Sequence, residues 1–244
     1  MNIALIGYGK MGREIERIAK DRGVHVTATF DIADNQDGAG LTKDALKGVD
    51  VCIDFSSPES VVDNIRSVAA SGKNIVVGTT GWHDKLDEVK GIVKSTKIGL
   101  LHSSNFSLGV NIFLQIVMDA SRLFDKYNIY DVAVHEVHHT AKLDAPSGTA
   151  LSIGAAVLKE FRRKSEIFSE ASHGKINPHQ LHVSSTRLGS TVGKHTVTFD
   201  SEADTIELVH SAKNRAGFAL GAVVAAEWLK GKKGIFTMRD MLMS

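Results

Sequence analysis

Cysteine is nearly absent from this 244-residue chain. Cys52 stands alone, so no intramolecular disulfide can form, and the composition suits a reducing compartment. Long apolar runs are missing too. None reaches the roughly 18 consecutive residues that a membrane-spanning helix requires. The apolar stretch at 3–6, directly behind Met1 and Asn2, is too short for the core of a secretory signal. Charge of one sign is scarce: 29 Lys and Arg against 28 Asp and Glu leave a formal net charge of +1. That balance supplies no global reason to expect nucleic acid or a membrane surface as partner. Repeats, low-complexity tracts and extended linkers are not found. What is present is 43% apolar residues, enough at this length for one large core or two smaller ones. The expectation is a globular, cytoplasmic protein that engages neither nucleic acid nor membrane.

The first thirty residues carry a pattern with a mechanism. Residues 2–6 form a short apolar run of strand length, followed by Gly7-Tyr8-Gly9-Lys10-Met11-Gly12. Ile15, Ile18 and Ala19 then recur at helical spacing, and Gly23 suits the end of that helix. Residues 24–30 read as a second strand, ending at Asp31. In such a turn the first glycine permits a tight bend, and the second lets backbone approach a pyrophosphate. The third lets helix and strand pack closely, and free N–H groups at the helix start face the phosphates. Asp31 lies where a carboxylate accepts hydrogen bonds from the adenine ribose hydroxyls.

The alternation continues with strands at 49–55, 74–77 and 98–102 and helices at 58–71 and 83–95. Strand–helix alternation implies right-handed crossovers and a parallel sheet, with ligands at the carboxyl ends of the strands. The loops there are the first glycine turn, Ser56-Ser57, Gly78-Thr79-Thr80 and Ser103-Ser104-Asn105-Phe106. Their mostly small or polar residues fit close approach to a cofactor, although any one of them could be an ordinary surface turn. An amphipathic helix at 107–126 follows. Then come a strand at 130–137, a helix from Ser147 to about 163, a polar irregular stretch at 165–178, and alternating strands at 181–188, 193–199 and 205–210. Strands close together without helices between them point to a mostly antiparallel sheet. An alanine-rich helix spans 216–229, and the tail at 235–243 is expected to return to the first domain. The fold class is therefore α/β: a Rossmann-type parallel-sheet cofactor domain, residues 1–106 and 215–244, with an inserted α+β domain at 107–214.

One stretch concentrates chemistry: His135-Glu136-Val137-His138-His139-Thr140-Ala141-Lys142-Leu143-Asp144-Ala145-Pro146-Ser147-Gly148-Thr149. If the strand persists, His138 and His139 point to opposite faces, which argues against a shared metal, and no metal is expected. Beside two histidines, Lys142 could donate a proton or pair with a carboxylate. Pro146 imposes an extended approach to the helix. Ser147 is a plausible N-cap, leaving the Gly148 and Thr149 N–H groups available to a carboxylate or phosphate. A capped helix start with no ligand would look the same from the residues alone.

The run from His138 to Ala150, H-H-x-x-K-x-D-A-P-S-G-T-A, resembles the signature of the dihydrodipicolinate reductase family. Residues 77–81, 104–109 and 238–242 match in order, so the resemblance covers essentially the whole chain. It implies a reductase of lysine and diaminopimelate synthesis that uses NADH or NADPH on a small cyclic imine carrying two carboxylates. By that resemblance His138 is the acid/base residue and Lys142 the proton donor. His139, Lys142 and Ser147-Gly148-Thr149 hold the substrate carboxylates. Gly7–Gly12, Asp31, Gly78–Thr80 and Ser103–Phe106 hold the cofactor. The inserted domain assembles a homotetramer, and the two domains close on substrate.

Two departures bear on the cofactor. The family often has G-x-x-G-R-M-G in the first turn; this chain is one residue shorter, with Lys10 where arginine is usual. Some members follow the ribose acid with arginine, where this chain has Ile32. Both changes remove guanidinium groups that could clamp a 2′-phosphate, so NADH is expected to be preferred, with NADPH use possible through Lys10. Two rivals are weighed. An acylating semialdehyde dehydrogenase needs a nucleophilic cysteine in the substrate domain, and Cys52 lies in a core strand of the other domain. A non-enzymatic NADH sensor would not need His138, Lys142 and the Ser147–Thr149 turn.

Overall fold

The computed structural model describes residues 1–214 and 216–244. These form two compact units, one of Met1–Leu108 with Ala216–Ser244 and one of residues 109–214. In chain order the first unit has β1 (Asn2–Ile6), α1 (Lys10–Asp21), β2 (His25–Phe30), β3 (Val51–Asp54), α2 (Val61–Ala70), β4 (Asn74–Val77), α3 (Leu86–Thr96) and β5 (Gly99–His102). Helix α4 (Leu108–Phe124) leads into the second unit, with β6 (Asp131–His138), α5 (Gly148–Glu160), β7 (Glu166–Phe168), β8 (Gln180–Arg187), β9 (Lys194–Asp200) and β10 (Thr205–Ser211). The chain then returns through α6 (Ala216–Leu229), β11 (Gly234–Thr237) and α7 (Met238–Leu242).

The first unit is a doubly wound sheet of order β11-β5-β4-β3-β1-β2, with every pairing parallel. Parallel sheets are covered on both faces, and the strands show it: all four residues of β3 are buried. Alternate residues feed two cores. Ala4 and Ile6 join Val61, Ile65, Val68, Val89 and Val93 on the face covered by α2 and α3. Ile3 and Leu5 join Ile15, Ala19, Ala222, Val223 and Ala226 on the α1 and α6 face. The tail supplies the edge strand β11, whose neighbour is β5. Pro58 stands in a turn ahead of α2, which begins at Val61 rather than at the proline.

The second unit corrects one expectation. Its sheet, β10-β9-β6-β8-β7, is mixed rather than mostly antiparallel. β9 pairs antiparallel with β10 and β6, whereas β6–β8 and β8–β7 are parallel. The cause lies in the connections. The polar 165–178 stretch contains the short strand β7, and the chain after it crosses over to lay β8 parallel beside it. Val132, Val134, Leu181, Val183, Val197 and Phe199 form one core with Phe113 and Val117 of α4 and Ile153, Val157 and Phe161 nearby in the chain around α5. Along β6 the buried positions are Val132, Val134, Glu136 and His138. One face of a single strand therefore turns from apolar to ionisable at its C-terminal end.

Helix α6 sits against the backbone of the loop after β5, where a Cβ on Gly221 would run into the Phe106 carbonyl. Gly221→Ala is expected to cost about 1–3 kcal/mol through overpacking against backbone that cannot yield. Urea unfolding checks this: the midpoint should fall at unchanged slope, and an unchanged midpoint would refute the close approach.

Candidate active site

In the first unit the expected cofactor loops all lie at carboxyl ends of strands. Gly7 has φ +85°, and a Cβ there would collide with the Phe55 carbonyl. A Cβ on Gly12 would collide with the Gly7 carbonyl. Gly9, the N-cap of α1, faces open space, with nothing within 4 Å of a notional Cβ. The turn is thus pinned on the sheet side and open at the helix start, as a pyrophosphate cradle requires. Lys10 and Asp31 are exposed and Met11 is half-buried; the Asp31 carboxylate accepts from the Ile32 N–H at 2.9 Å. The Tyr8 hydroxyl donates to Glu16, and Arg13 lies over its ring.

Several of these residues act from below rather than at the surface. Phe106 is 1% exposed and belongs to the core beneath the loop, so its ring is not available to a ligand. The Thr79 hydroxyl donates to buried Asp54 at 2.6 Å and accepts from the Ser56 N–H at 2.9 Å. Asp54 also accepts from the Ser56 hydroxyl and from Asn64. Burial pushes its carboxyl above the usual range, against those donors. The network ties the ends of β3 and β4 together. A Cβ on Gly78 would enter the Phe55 ring, while Thr80 and Ser104 stay exposed. The Ser103 hydroxyl donates to the Asn105 carbonyl and closes that loop on itself.

In the second unit, β6 and α5 set the histidine–lysine stretch. Glu136 is the centre. It is fully buried and accepts from the Ser147 N–H at 2.9 Å, from the Ser147 hydroxyl, and from the Ser185 hydroxyl at 2.8 Å. His138 Nδ1 lies 3.3 Å from its Oε2, His195 Nε2 3.5 Å from the same oxygen, and Arg187 3.6 Å from Oε1. Register explains the gathering. Glu136 stands opposite His195 on β9 and Ser185 on β8, and His210 on β10 stands opposite His195. One row of four strands thus carries Ser185, Glu136, His195 and His210. Arg187 is the register partner of His138.

Ser147 caps α5, its hydroxyl accepting from the Ala150 N–H at 3.1 Å. Lys142 Nζ lies 2.6 Å from the Asp144 carboxylate, and this contact holds the carboxyl below its usual range. One donor expected to meet a substrate carboxylate, Lys142, is therefore already engaged by a carboxylate of the chain. A Cβ on Gly148 would meet nothing within 4 Å, so the helix start is open. Thr149 and His139 are half-buried beside it, and the His139 carbonyl accepts from the Lys142 N–H.

Burial works to raise the Glu136 carboxyl, but the Ser147 and Ser185 donors and His138 outweigh it and hold it low. Burial lowers His138, with Glu136 opposing and Lys142 and Arg187 adding to the shift. Burial pushes His195 down to about 4, helped by His138 and opposed by Glu136. Glu136, His138 and His195 present potential metal-ligand atoms within 4.8 Å of one another. The carboxylate is already saturated by hydroxyl and N–H donors, and Lys142 and Arg187 stand near, which disfavours a cation. Sequence reasoning named Glu136 only in passing and missed His195, Ser185 and Arg187. Inward alternation with Val197 and Phe199 was the one signal for His195.

A doubly wound parallel sheet with an open glycine turn, joined to a second unit bearing this histidine–lysine cluster, defines a class: an NAD(P)H-dependent oxidoreductase. Within that class the chain belongs to the dihydrodipicolinate reductase family. The family model for the dihydrodipicolinate reductase N-terminus matches residues 1–106, and that for the C-terminus matches residues 109–242. A 4-hydroxy-tetrahydrodipicolinate reductase of Christiangramia forsetii is 41% identical over 243 residues, covering 99% of this chain and 98% of that protein. One of Chromobacterium violaceum is 36% identical over 99% of this chain and 98% of its own length. The fold also resembles a solved, dipicolinate-bound dihydrodipicolinate reductase from Paenisporosarcina sp. TG-14, with TM-score 0.79, 21% identity and 97% of each chain covered.

The His195 shift has a signed consequence. An unfolded imidazole takes its proton near 6.5, whereas folded His195 waits until about 4. Stability is therefore fully present above about 6.5 and lost as pH falls toward 4, by up to about 3 kcal/mol from this group. Denaturant unfolding across that window should show the loss, with a shallower slope in His195→Asn; equal slopes would contradict the assignment.

Proposed function

We propose that the chain reduces the cyclic dicarboxylate imine 4-hydroxy-tetrahydrodipicolinate, or its dehydrated form dihydrodipicolinate, to tetrahydrodipicolinate in lysine and diaminopimelate synthesis. The observation that carries this reading is 41% identity across 99% of the chain to a reductase of that name. The dipicolinate held by the solved relative is a planar dicarboxylate of the same chemical class.

Gly7, Tyr8, Gly9, Lys10, Met11 and Gly12 would hold the cofactor pyrophosphate, and Asp31 the adenine ribose. Gly78, Thr79, Thr80, Ser103, Ser104, Asn105 and Phe106 shape the loops beyond, Thr79 and Phe106 by supporting backbone. When bound, the reduced nicotinamide supplies a hydride, which forms a new C–H bond on the substrate ring. In the dehydrated form, after the 4-hydroxyl has left as water, the displaced electron pair moves through the conjugated C=C–C=N system and takes up one proton. Lys142 delivers that proton as an ammonium, and His138 serves as the acid/base residue beside it. His139, Lys142, Ser147, Gly148 and Thr149 hold the substrate carboxylates, one of which takes the place of Asp144 on Lys142. Cationic donors at this position stabilise the electron density that the hydride leaves behind.

Asp31 favours NADH over NADPH, because its carboxylate would face a 2′-phosphate with no guanidinium beside it. Ile32, 87% exposed, stands where an arginine could supply one. The second unit would assemble a homotetramer, and exposed Ile206 and Val209 on β10 favour burial against another copy. The setting is cytoplasmic biosynthesis.

The test is NADH oxidation by purified protein, with substrate generated in place from pyruvate and aspartate semialdehyde by the preceding synthase. Turnover is expected, and Lys142→Ala should lower kcat by about 100-fold or more. Absence of turnover with either nucleotide, while the nucleotide still binds, would overturn the reading. For the cofactor, kcat/KM should be higher with NADH, and Ile32→Arg should raise NADPH use roughly tenfold, the worth of one charge-assisted hydrogen bond. A wild-type preference for NADPH would contradict this.

A further inference from the structure

We infer that Glu136 is a positioning residue of this site: its buried carboxylate orients the His138 imidazole and, through Ser147, fixes the helix start that receives the substrate carboxylate. The inference rests on the reading of His138 as the acid/base residue.

A fully buried carboxylate is retained only when its lone pairs are occupied. Glu136 meets this with the Ser147 N–H, the Ser147 hydroxyl and the Ser185 hydroxyl. All three donors are neutral, so the group keeps its negative charge, with the Arg187 guanidinium 3.6 Å from Oε1 as its nearest permanent cation. Two of them belong to the residue that caps α5. The carboxylate therefore locks the cap, and with it the direction of the Gly148 and Thr149 N–H groups.

The same oxygen that takes the Ser147 hydroxyl faces His138. Nδ1 of that ring is buried without a hydrogen-bond partner and lies 3.3 Å from Oε2. Buried, unpaired polar atoms are rare and call for a reason. Here a small rotation of the ring turns the contact into a charge-assisted hydrogen bond once Nδ1 carries a proton. The other side of the ring is fixed by Gly193, where a Cβ would stand 3.0 Å from His138 Nε2. The carboxylate thus stabilises the protonated form of a ring that its surroundings otherwise keep neutral. The other charged and titratable groups around it divide. Arg187 from β8, and Lys142 from the loop after β6, oppose protonation, and Asp144 on that loop favours it. His195 from β9, its ring centroid 5.2 Å away, stays neutral near pH 7 and packs behind the carboxylate.

The experiment is the pH profile of kcat in wild type, Glu136→Gln and Ser185→Ala, with His138→Asn in parallel. Activity that requires protonated His138 falls as pH rises, and that alkaline limb reports the ring. In Glu136→Gln, kcat should drop about 100-fold and the limb should move to lower pH. Binding of pyridine-2,6-dicarboxylate, used as a stable probe, should weaken, and the Kd for NADH should hold. Ser185 is exposed, so its alanine variant is expected to fold even if the glutamine variant does not. Removing that donor leaves more charge on Glu136, and the limb should move the opposite way, to higher pH. Limbs unmoved in every variant that folds would overturn the inference, even with kcat reduced, since a merely structural role lowers activity without moving the limb. If His138→Asn keeps full activity, the reading of His138 fails instead, and the two failures are distinct.

Discussion

A carboxylate taken out of water has to be met by donors from whatever surrounds it, and in the second unit Glu136 imposes that demand on three strands and a helix. Its position on β6 is the buried side of an alternation that begins with Val132 and Val134. The face that builds the core is therefore continuous with the face that builds the site. Ser147 answers from the start of α5 and Ser185 from β8, with His195 opposite on β9. Each contact also orients something else: the cap of α5, the parallel β6–β8 pair, and the ring of His138. Removing one partner from such a cluster costs more than its own hydrogen bond, because the charge stays behind.

The first unit solves a related problem with a different carboxylate. Asp54, at the end of β3, collects Thr79, Ser56 and Asn64, and Asn64 is in turn bonded to Asn35. The network draws the loops after β3 and β4 into one rigid rim beside the glycine turn. Close approach without side chains does the rest. Gly7 and Gly12 let backbone meet backbone, and Gly221 lets α6 rest on the Phe106 carbonyl. The rim is shaped by buried polar groups and absent Cβ atoms, and Lys10, Asp31 and Ile32 are exposed.

Much of this was legible in the chain. Apolar runs of strand length, glycine turns and helical spacing located β1 to β5 of the parallel sheet, because burial on both faces leaves continuous apolar signals; β11 was expected only as a tail returning to this domain. The Ser147 cap was legible because capping needs a short side-chain acceptor just ahead of a helical pattern. The mixed sheet was not. β7 is three residues long and sits in a polar stretch, so nothing local marks it, and parallel pairing depends on where the connection crosses. Glu136 was visible as a letter in the stretch but not as its centre. Its partners Ser185 and His195 lie 49 and 59 positions away in the chain, and only register brings them opposite.

The claim that Glu136 governs the state of His138 is tested most directly by NMR titration of the His138 ring in wild type and Glu136→Gln, without substrate. The account predicts a lower midpoint in the variant, since the one neighbour on its own strand that favours the imidazolium has lost its charge. An unchanged midpoint, with the His195 and His210 signals also unmoved, would show that the carboxylate does not act on His138 and would contradict the account.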